Sequence, residues 1–426
     1  MKTVITCSSI FNVFKSRFFT VFLFAVFLTS GFAAEVPDGK WVATWGASPF
    51  VFRSFNNAPP PPPFKDQTVR QVLRISVGGD MVRVRFSNVL GTEPLVIGAA
   101  TVAVVADGAS VNKDSIRTLT FGGETSITVP AGAPVLSDPV TLAVDDLDEL
   151  AISMYLPQET PPGTVHMGRI SYRSSAGDHT GSVDLPGAEQ SATMVFLTGV
   201  YVHTSGDTNV VVALGDSITD GAASTPYTFN SWPDHLAQRL ANRSGNNKKV
   251  AVVNHGISGN QLLRPGAGDA TLGRFDRDVL ATPGLSHVVV LIGINDIGTG
   301  GMQFPGATGP APAMRTPEDL IAGYRQIIAR VRSASPSIKV YGATLTPFEG
   351  TFPGYYSPEK DQIRMQVNEW IRTSGEYDAV IDFDKAIQDP DQPTRMKAEY
   401  DSGDKLHPGD AGYKRMADSI DLTLFK

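Results

Sequence analysis

The chain has 426 residues, of which 42% are hydrophobic, so it is too long and too apolar to be disordered or collagen-like. Its 36 basic and 43 acidic residues give a net charge of -7, and the basic residues form no long run. This balance offers no electrostatic surface for nucleic acid, so we expect neither DNA nor RNA as a partner. The length exceeds that of one typical domain and predicts two.

Residues 1–34 have the pattern of a secretory signal peptide. A basic start precedes an apolar stretch from Phe18 to Leu28, and cleavage after Ala33 fits the small-residue pattern better than cleavage after Ala34. This stretch is shorter than the ~20 residues that a membrane-spanning helix needs. We therefore expect a secreted, periplasmic or extracellular protein without stable membrane insertion. The only cysteine, Cys7, lies in this segment, which excludes cysteine chemistry from the mature chain.

Residues 35–206 predict a β-sandwich domain. Apolar and polar residues alternate from Leu73 to Val77 and from Val82 to Phe86, as they do in half-buried strands. Gly78 to Asp80 lie between these runs, where a hairpin needs its turn. Trp41 and Trp45 could stack on sugars, but we expect tryptophans of a β-rich domain to belong to its core.

Residues 207–426 predict a domain of alternating strands and helices. Continuous apolar runs of this kind are typical of parallel strands that are buried on both faces. Helices are expected from Pro317 to Pro336, from Pro358 to Thr373 and from Pro408 to Leu422. The predicted strands are Val210–Leu214, Val250–Asn254, Val288–Ile292, Val340–Leu345 and Ala379–Phe383.

Polar groups follow the first three of these strands. Ser217 comes after the first strand in Gly215-Asp216-Ser217, Gly259 lies in the loop after the second, and Asn295 follows the third. Ligands bind at the carboxyl ends of strands in open α/β sheets, so these groups should meet at one edge. A lone Gly-Asp-Ser would instead suggest a helix cap, because serine often has that role.

Asp404 and His407 lie three residues apart on one loop near the end of the chain. An aspartate that accepts from one imidazole nitrogen leaves the other nitrogen free to take a proton from serine. Among the seven histidines only His407 has such a partner together with a turn-forming proline. His235 and His287 are expected at the surface or in the core, and His255 could belong to either the site or the core.

Together these residues resemble the SGNH hydrolases, also called the GDSL family. Four motif blocks appear in the family's order: Gly215-Asp216-Ser217, Gly259, Gly293-Ile294-Asn295-Asp296 and Asp404 to His407. Ile218 replaces the usual leucine, and the resemblance covers the chain from about Val210 onward. It implies a three-layer α/β/α, flavodoxin-like hydrolase domain, here preceded by the β-sandwich.

The resemblance also implies a catalytic triad and an oxyanion hole. Ser217 would be the nucleophile, His407 the general base and then acid, and Asp404 the carboxylate that orients it. The oxyanion hole would use the backbone N–H groups of Ser217 and Gly259 and the side-chain amide of Asn295. Asp216 and Asp296 would hold loop backbone, and neither a cofactor nor a metal is expected.

The function implied is that of a serine esterase whose substrate is a small acyl ester or an acylated polysaccharide. The opening Trp41 to Pro49 looks like that of secreted two-part members of the family, which are mostly acylhydrolases, arylesterases or carbohydrate esterases. The predicted export, the additional β domain and the habits of the family favour acetyl esters on polysaccharide. A lipolytic, aryl-esterase or lysophospholipase-like acylhydrolase is the alternative, and acyl transfer to a sugar would use the same residues. An inactive carbohydrate-binding protein is an alternative of another class.

Overall fold

A computed structural model describes residues 39–51, 62–244, 248–303 and 309–426. The predicted signal peptide lies outside the described residues. Residues 39–426 form one compact unit, in which antiparallel strands come first and parallel strands with helices follow. A domain boundary between residues 206 and 207 stays a prediction.

The first part of the chain folds into antiparallel strands, as its alternating pattern predicts. The strands are β1 (Lys40–Gly46), β2 (Gln67–Arg74), β3 (Gly79–Ser87), β4 (Leu95–Ile97), β5 (Ala99–Asp107), β6 (Ser110–Val111), β7 (Arg117–Thr118), β8 (Ile127–Val129), β9 (Pro134–Leu136), β10 (Val140–Val144), β11 (Glu149–Leu156), β12 (Val165–Ala176), β13 (Glu189–Val195) and β14 (Leu197–Thr204). One sheet has the order β1-β14-β3-β10 with β9 beside β3, and a second has the order β13-β12-β2-β11-β5-β6 with β7 beside β5; β4 and β8 form a separate pair.

The second part contains a parallel sheet, whose members are β15 (Thr208–Gly215), β16 (Lys249–Gly256), β17 (Leu285–Leu291), β18 (Lys339–Ala343) and β19 (Ala379–Ile381). Their spatial order is β16-β15-β17-β18-β19. In chain order this is 2-1-3-4-5, the flavodoxin-like arrangement, whose ligand crevice lies outside the carboxyl ends of the strands where the order reverses. That point lies between β15 and β17.

Helices cover this sheet in two groups. The helices are α1 (Ser217–Asp220), α2 (Trp232–Ala241), α3 (Thr271–Phe275), α4 (Ile294–Gly298), α5 (Pro317–Ala334), α6 (Pro358–Thr373), α7 (Phe383–Ile387) and α8 (Asp410–Asp418). Helix α8 contacts α2 and α7, whereas α5 contacts α3 and α6, as expected for two layers. The fold is therefore the predicted one, an α/β/α domain preceded by antiparallel sheets.

Some predicted element ends are wrong by a few residues. The last helix begins at Asp410 rather than at Pro408 and ends at Asp418, and a 3-10 turn over Leu422–Phe425 follows it. Strand β19 ends at Ile381, because the Asp382 side chain accepts a hydrogen bond from a backbone N–H of α7 and caps that helix.

The antiparallel and parallel parts share one hydrophobic core. Strand β1 contacts both β15 and β16, and the backbone N–H of Ala43 donates to the carbonyl of Pro283 at 3.0 Å. The Ser76 hydroxyl donates to the carbonyl oxygen of Val252 in β16 at 2.6 Å and accepts from the N–H of Val252 at 3.0 Å. The sheets are thus joined by both apolar packing and buried hydrogen bonds.

Candidate active site

Ser217 lies directly beyond the carboxyl end of β15. Gly215 ends this strand, and a Cβ atom there would lie 2.2 Å from the hydroxyl of Thr219, so only glycine fits the turn. The Asp216 carboxylate accepts from the backbone N–H of Ile218 at 3.0 Å and caps α1. Ser217 is the first residue of α1 and is 5% exposed.

The structure brings His407 and Asp404 to Ser217. His407 Nε2 lies 2.8 Å from Ser217 Oγ, and His407 Nδ1 lies 2.6 Å from Asp404 Oδ2. The other oxygen of Asp404 accepts from the backbone N–H groups of Leu406 and His407 at 2.9 and 2.8 Å. Partial burial would raise the pKa of Asp404, but the hydrogen bonds from the ring and backbone of His407 hold it well below its usual value. Asp404 is thus an anion that fixes the imidazole tautomer.

Asn295 and the loop that carries Gly259 are held beside each other. The amide Nδ2 of Asn295 donates to the carbonyl of Asn260 at 3.0 Å, and the hydroxyl of Tyr355 donates to its Oδ1 at 2.8 Å. The hydrogen bond from the tyrosine fixes which end of the amide is the nitrogen. Nδ2 has two N–H groups, so one donates to Asn260 and the other can donate to a substrate. Gly259 has a φ of +78°, a conformation that favours glycine.

Asp220 joins this loop to the helix of Ser217. Its carboxylate accepts from the Ser258 hydroxyl at 2.8 Å and from the Ser258 N–H at 3.3 Å. Because Asp220 ends α1 and Ser258 precedes Gly259, one carboxylate connects two elements that carry predicted oxyanion donors. The structure therefore gathers Ser217, Gly259 and Asn295 at the edge where the sequence places them.

Two further carboxyl groups hold loop backbone. Asp296 accepts from the N–H groups of Leu262 and Leu263 at 2.7 and 3.1 Å, and burial raises its pKa to about 6. Burial also raises the pKa of Asp216 to about 7, against the hydrogen bond from Ile218. Within the described ranges Asp216 Oδ2 has no hydrogen-bond partner.

Residues 213–415 match the GDSL-like Lipase/Acylhydrolase family. This region is a GDSL hydrolase domain. The match spans the elements that carry Ser217, Gly259, Asn295, Asp404 and His407, and the GDSL family comprises serine hydrolases of ester bonds. No curated protein matches the chain.

Solved structures of several GDSL proteins resemble this hydrolase. A GDSL-like lipase from Bacteroides thetaiotaomicron VPI-5482 is 18% identical, with a TM-score of 0.37, over 51% of this chain and 87% of that one. The aryl esterase of M. smegmatis is 16% identical, with a TM-score of 0.37, over 50% and 95%. A lipolytic G-D-S-L protein from Veillonella parvula DSM 2008 is 19% identical, with a TM-score of 0.33, over 51% and 97%.

A buried arginine of this GDSL hydrolase holds the segments around the site together. Arg274 in α3 donates to the carbonyl oxygens of Gly215 and His255 at 3.0 and 2.9 Å. It also donates to Asn260 Oδ1 at 3.0 Å and to Ser48 Oγ at 2.8 Å. One side chain thus links the turn before Ser217, the Gly259 loop and the antiparallel region.

His255, which the sequence leaves open, belongs to this supporting network. Its Nδ1 lies 2.9 Å from the Ser48 hydroxyl, and burial lowers its pKa to about 4, so the ring is neutral. His287 packs in the core against Tyr341 and Phe425.

Sequence reasoning missed the residues that hold the site from a distance: His166, Arg169, Asp220, Arg274 and Tyr355. Each is separated by tens of residues from groups that it contacts, so no local spacing pointed to it. A buried arginine or aspartate gives the same sequence signal as an exposed one. Only Asp220, three residues after Ser217, lay close to a recognised motif.

The described residues contain no group of three or more His, Cys, Asp or Glu side chains that could hold a metal ion. None of the helices in the described ranges is long and apolar enough to cross a membrane.

Proposed function

We propose that this GDSL hydrolase is a secreted esterase that removes short acyl groups, chiefly acetyl, from carbohydrate, with Ser217 as its nucleophile. The observation that carries the assignment is the hydrogen-bonded chain from Ser217 through His407 to Asp404. The hydroxyl of Ser217 is a poor nucleophile until a base takes its proton, and His407 Nε2 lies 2.8 Å from it.

The proposed reaction proceeds in two halves. Ser217 Oγ attacks the ester carbonyl carbon while its proton moves to His407, and a tetrahedral oxyanion forms. The backbone N–H groups of Ser217 and Gly259 and the amide of Asn295 stabilise this oxyanion; one such donor is typically worth about 3–4 kcal/mol. His407 then protonates the leaving alcohol, and water releases the acid from the acyl-enzyme by the same steps.

The carbohydrate assignment is supported by the exposure of the triad's outer members. The side chain of Asp404 is 45% exposed and that of His407 is 18% exposed, whereas Ser217 is buried. An alcohol as large as a sugar chain can therefore remain largely in solvent while its acyl group reaches the serine. The predicted export and the additional antiparallel region are consistent with a polymer substrate.

A lipolytic or aryl esterase is the second candidate. Phe352 and Met314 are 48% and 36% exposed. Their segments adjoin the Asn295 side of the site, since Phe352 packs on Tyr355 and Met314 lies against Gly300. These apolar side chains could contact a long acyl chain or an aromatic alcohol.

A matched ester series decides between the two candidates. Aryl esters from acetyl to decanoyl are tested together with acetate release from acetylated xylan and pectin. Acetate release together with a steep fall in activity beyond propionyl supports the carbohydrate esterase. A preference for long chains without acetate release supports the lipolytic enzyme.

Ser217→Ala should lower kcat by roughly 10⁴-fold or more. Unchanged hydrolysis by this variant would refute the assignment of the nucleophile.

A further inference from the structure

Strand β12 of the antiparallel region brings two nitrogen-bearing side chains to a carboxylate of the hydrolase domain. Asp220 Oδ1 lies 3.0 Å from His166 Nε2 and 3.0 Å from an Arg169 guanidinium nitrogen. The guanidinium also donates to the backbone carbonyl of Asp220 at 3.1 Å. The side chains of Asp220 and His166 are 5% and 2% exposed, so this contact is buried.

The backbone of β12 is irregular where it makes this contact. Its pairing with β13 shifts register between Met167 and Ser171, and Gly168 in this stretch has a φ of +73°. Such bulges redirect side chains and are common beside active sites. His166 Nδ1 lies 2.8 Å from the carbonyl oxygen of Ser48, so both ring nitrogens face acceptor oxygens.

The other carboxylate oxygen of Asp220, Oδ2, holds the loop that leads to Gly259. It accepts two hydrogen bonds from Ser258, whose neighbour Gly259 supplies a proposed oxyanion donor, and Asp220 ends the helix that begins at Ser217. A shift of this carboxylate would therefore move the N–H groups of Ser217 and Gly259 relative to each other. Oxyanion donors lose most of their effect when they are displaced from the position of the developing charge.

The charge of Asp220 must also be balanced. Burial would raise its pKa, but Arg169 and His166 hold the pKa at about 2, so the group is an anion. A buried anion without partners is costly, and near an oxyanion hole it would oppose the negative charge that forms in the transition state.

We propose that His166 and Arg169 are positioning residues that hold Asp220, whose charge Arg169 balances, so that the antiparallel region supports the oxyanion hole. This inference rests on the proposed function, since it takes Ser217 as the nucleophile and Gly259 as an oxyanion donor. It assigns to β12 a role in the rate of acyl transfer rather than in the binding of the alcohol.

The test compares the steady-state kinetics of Arg169→Gln, Arg169→Lys and His166→Gln on an aryl acetate. The side chain of Arg169 is 15% exposed. We expect Arg169→Gln and His166→Gln to lower kcat by roughly 10-fold with KM within about 2-fold, because the lost interaction acts in the transition state. Arg169→Lys keeps the charge and should recover most of kcat. Exhaustive titration with a fluorophosphonate gives the concentration of folded, reactive enzyme for each variant.

Lys249→Gln is the matched control. Lys249 also pairs with the antiparallel region, through Asp146 at 2.8 Å, but it lies at the opposite, amino end of β16. Its replacement should leave kcat and KM within about 2-fold of the wild type. The double variant Arg169→Gln/Asp220→Asn should lose less than the product of the two single effects, because one interaction is removed twice.

Unchanged kcat in Arg169→Gln and His166→Gln, a change in KM alone, or strictly multiplicative effects in the double variant would overturn the inference. If Ser217→Ala abolishes activity while the β12 variants behave like Lys249→Gln, only this inference fails. If Ser217→Ala stays active, the proposed function fails as well.

Discussion

At the scale of single residues, the site depends on how each polar group is oriented. The imidazole of His407 has its tautomer set by Asp404, and the amide of Asn295 is set by Tyr355. In both cases the partner acts through another residue. Catalysis by such groups depends on donors that are in place before charge develops, because reorientation during the reaction would cost free energy.

Tyr355→Phe should lower kcat by roughly 10-fold and leave KM nearly unchanged, because the Asn295 amide loses the hydroxyl that fixes its orientation. The carboxamide oxygen would also lose its buried donor. Steady-state kinetics on an aryl acetate measure both constants. Tyr356→Phe is the control, since Tyr356 follows in the chain but donates to Glu349, 3.4 Å away. Equal effects of the two substitutions would contradict an orienting role for Tyr355.

Asp216 makes the stability of the protein depend on pH. The folded protein retains the proton of Asp216 up to about pH 7, whereas an unfolded chain releases it near 3.8. The stability that this difference confers is complete below pH 3.8 and is lost as the pH rises through 7. Asp216→Asn removes the ionisation and should raise the free energy of unfolding at pH 8 by on the order of 4 kcal/mol, with little gain at pH 4.

Urea unfolding of Asp216→Asn at pH 4, 6 and 8 measures this trend. Asp207→Asn is the control, because hydrogen bonds from Lys248 and Lys40 lower the pKa of Asp207 to about 2. That stability is present above pH 3.8 and is lost as the pH falls through 2, so Asp207→Asn should give no gain at pH 8. An Asp216→Asn gain that is the same at all three pH values would refute the shifted pKa.

At the scale of elements, the local motifs could be predicted and their supports could not. Ser217, Gly259 and Asn295 follow apolar strands directly, and Asp404 and His407 share one loop, so short-range pattern and the topology of parallel sheets suffice to place them together. The ends of the elements are predicted less exactly. The last helix, for example, lies between Gly409 and Ser419 and is shorter than predicted.

The contacts around Asp220 could not be predicted from local sequence pattern. Their partners lie on β12, which belongs to an antiparallel sheet and reaches the hydrolase domain only through tertiary packing. Hydrophobic alternation predicts which face of β12 is buried but not which carboxylate His166 meets. The role of Arg274 could not be predicted for the same reason. An arginine followed four residues later by an aspartate is equally typical of an exposed ion pair on a helix.

At the scale of the whole molecule, the antiparallel region and the hydrolase domain should unfold together. Gly284 lies between them, with a φ of +79°, and a Cβ atom there would lie 2.9 Å from side-chain atoms of both Val42 in β1 and Val210 in β15. The contact joins the first strand of one region to the first strand of the other. Apolar packing this close transmits a disturbance to both partners.

Gly284→Ala should therefore lower the unfolding midpoint of both regions by the same amount. Hydrogen exchange in increasing urea, followed separately in β3 and β17, measures the two midpoints. Gly132→Ala is the control, since Gly132 has a φ of +80° and a Cβ atom there would meet no other atom within 4 Å. This substitution should cost only the roughly 1–2 kcal/mol of left-handed strain.

If Gly284→Ala shifts one region alone, or if β3 and β17 open at different urea concentrations in the wild type, the two regions are independent folding units. Coincident shifts larger than those of Gly132→Ala would mean that the antiparallel region stabilises the strand that leads to Ser217.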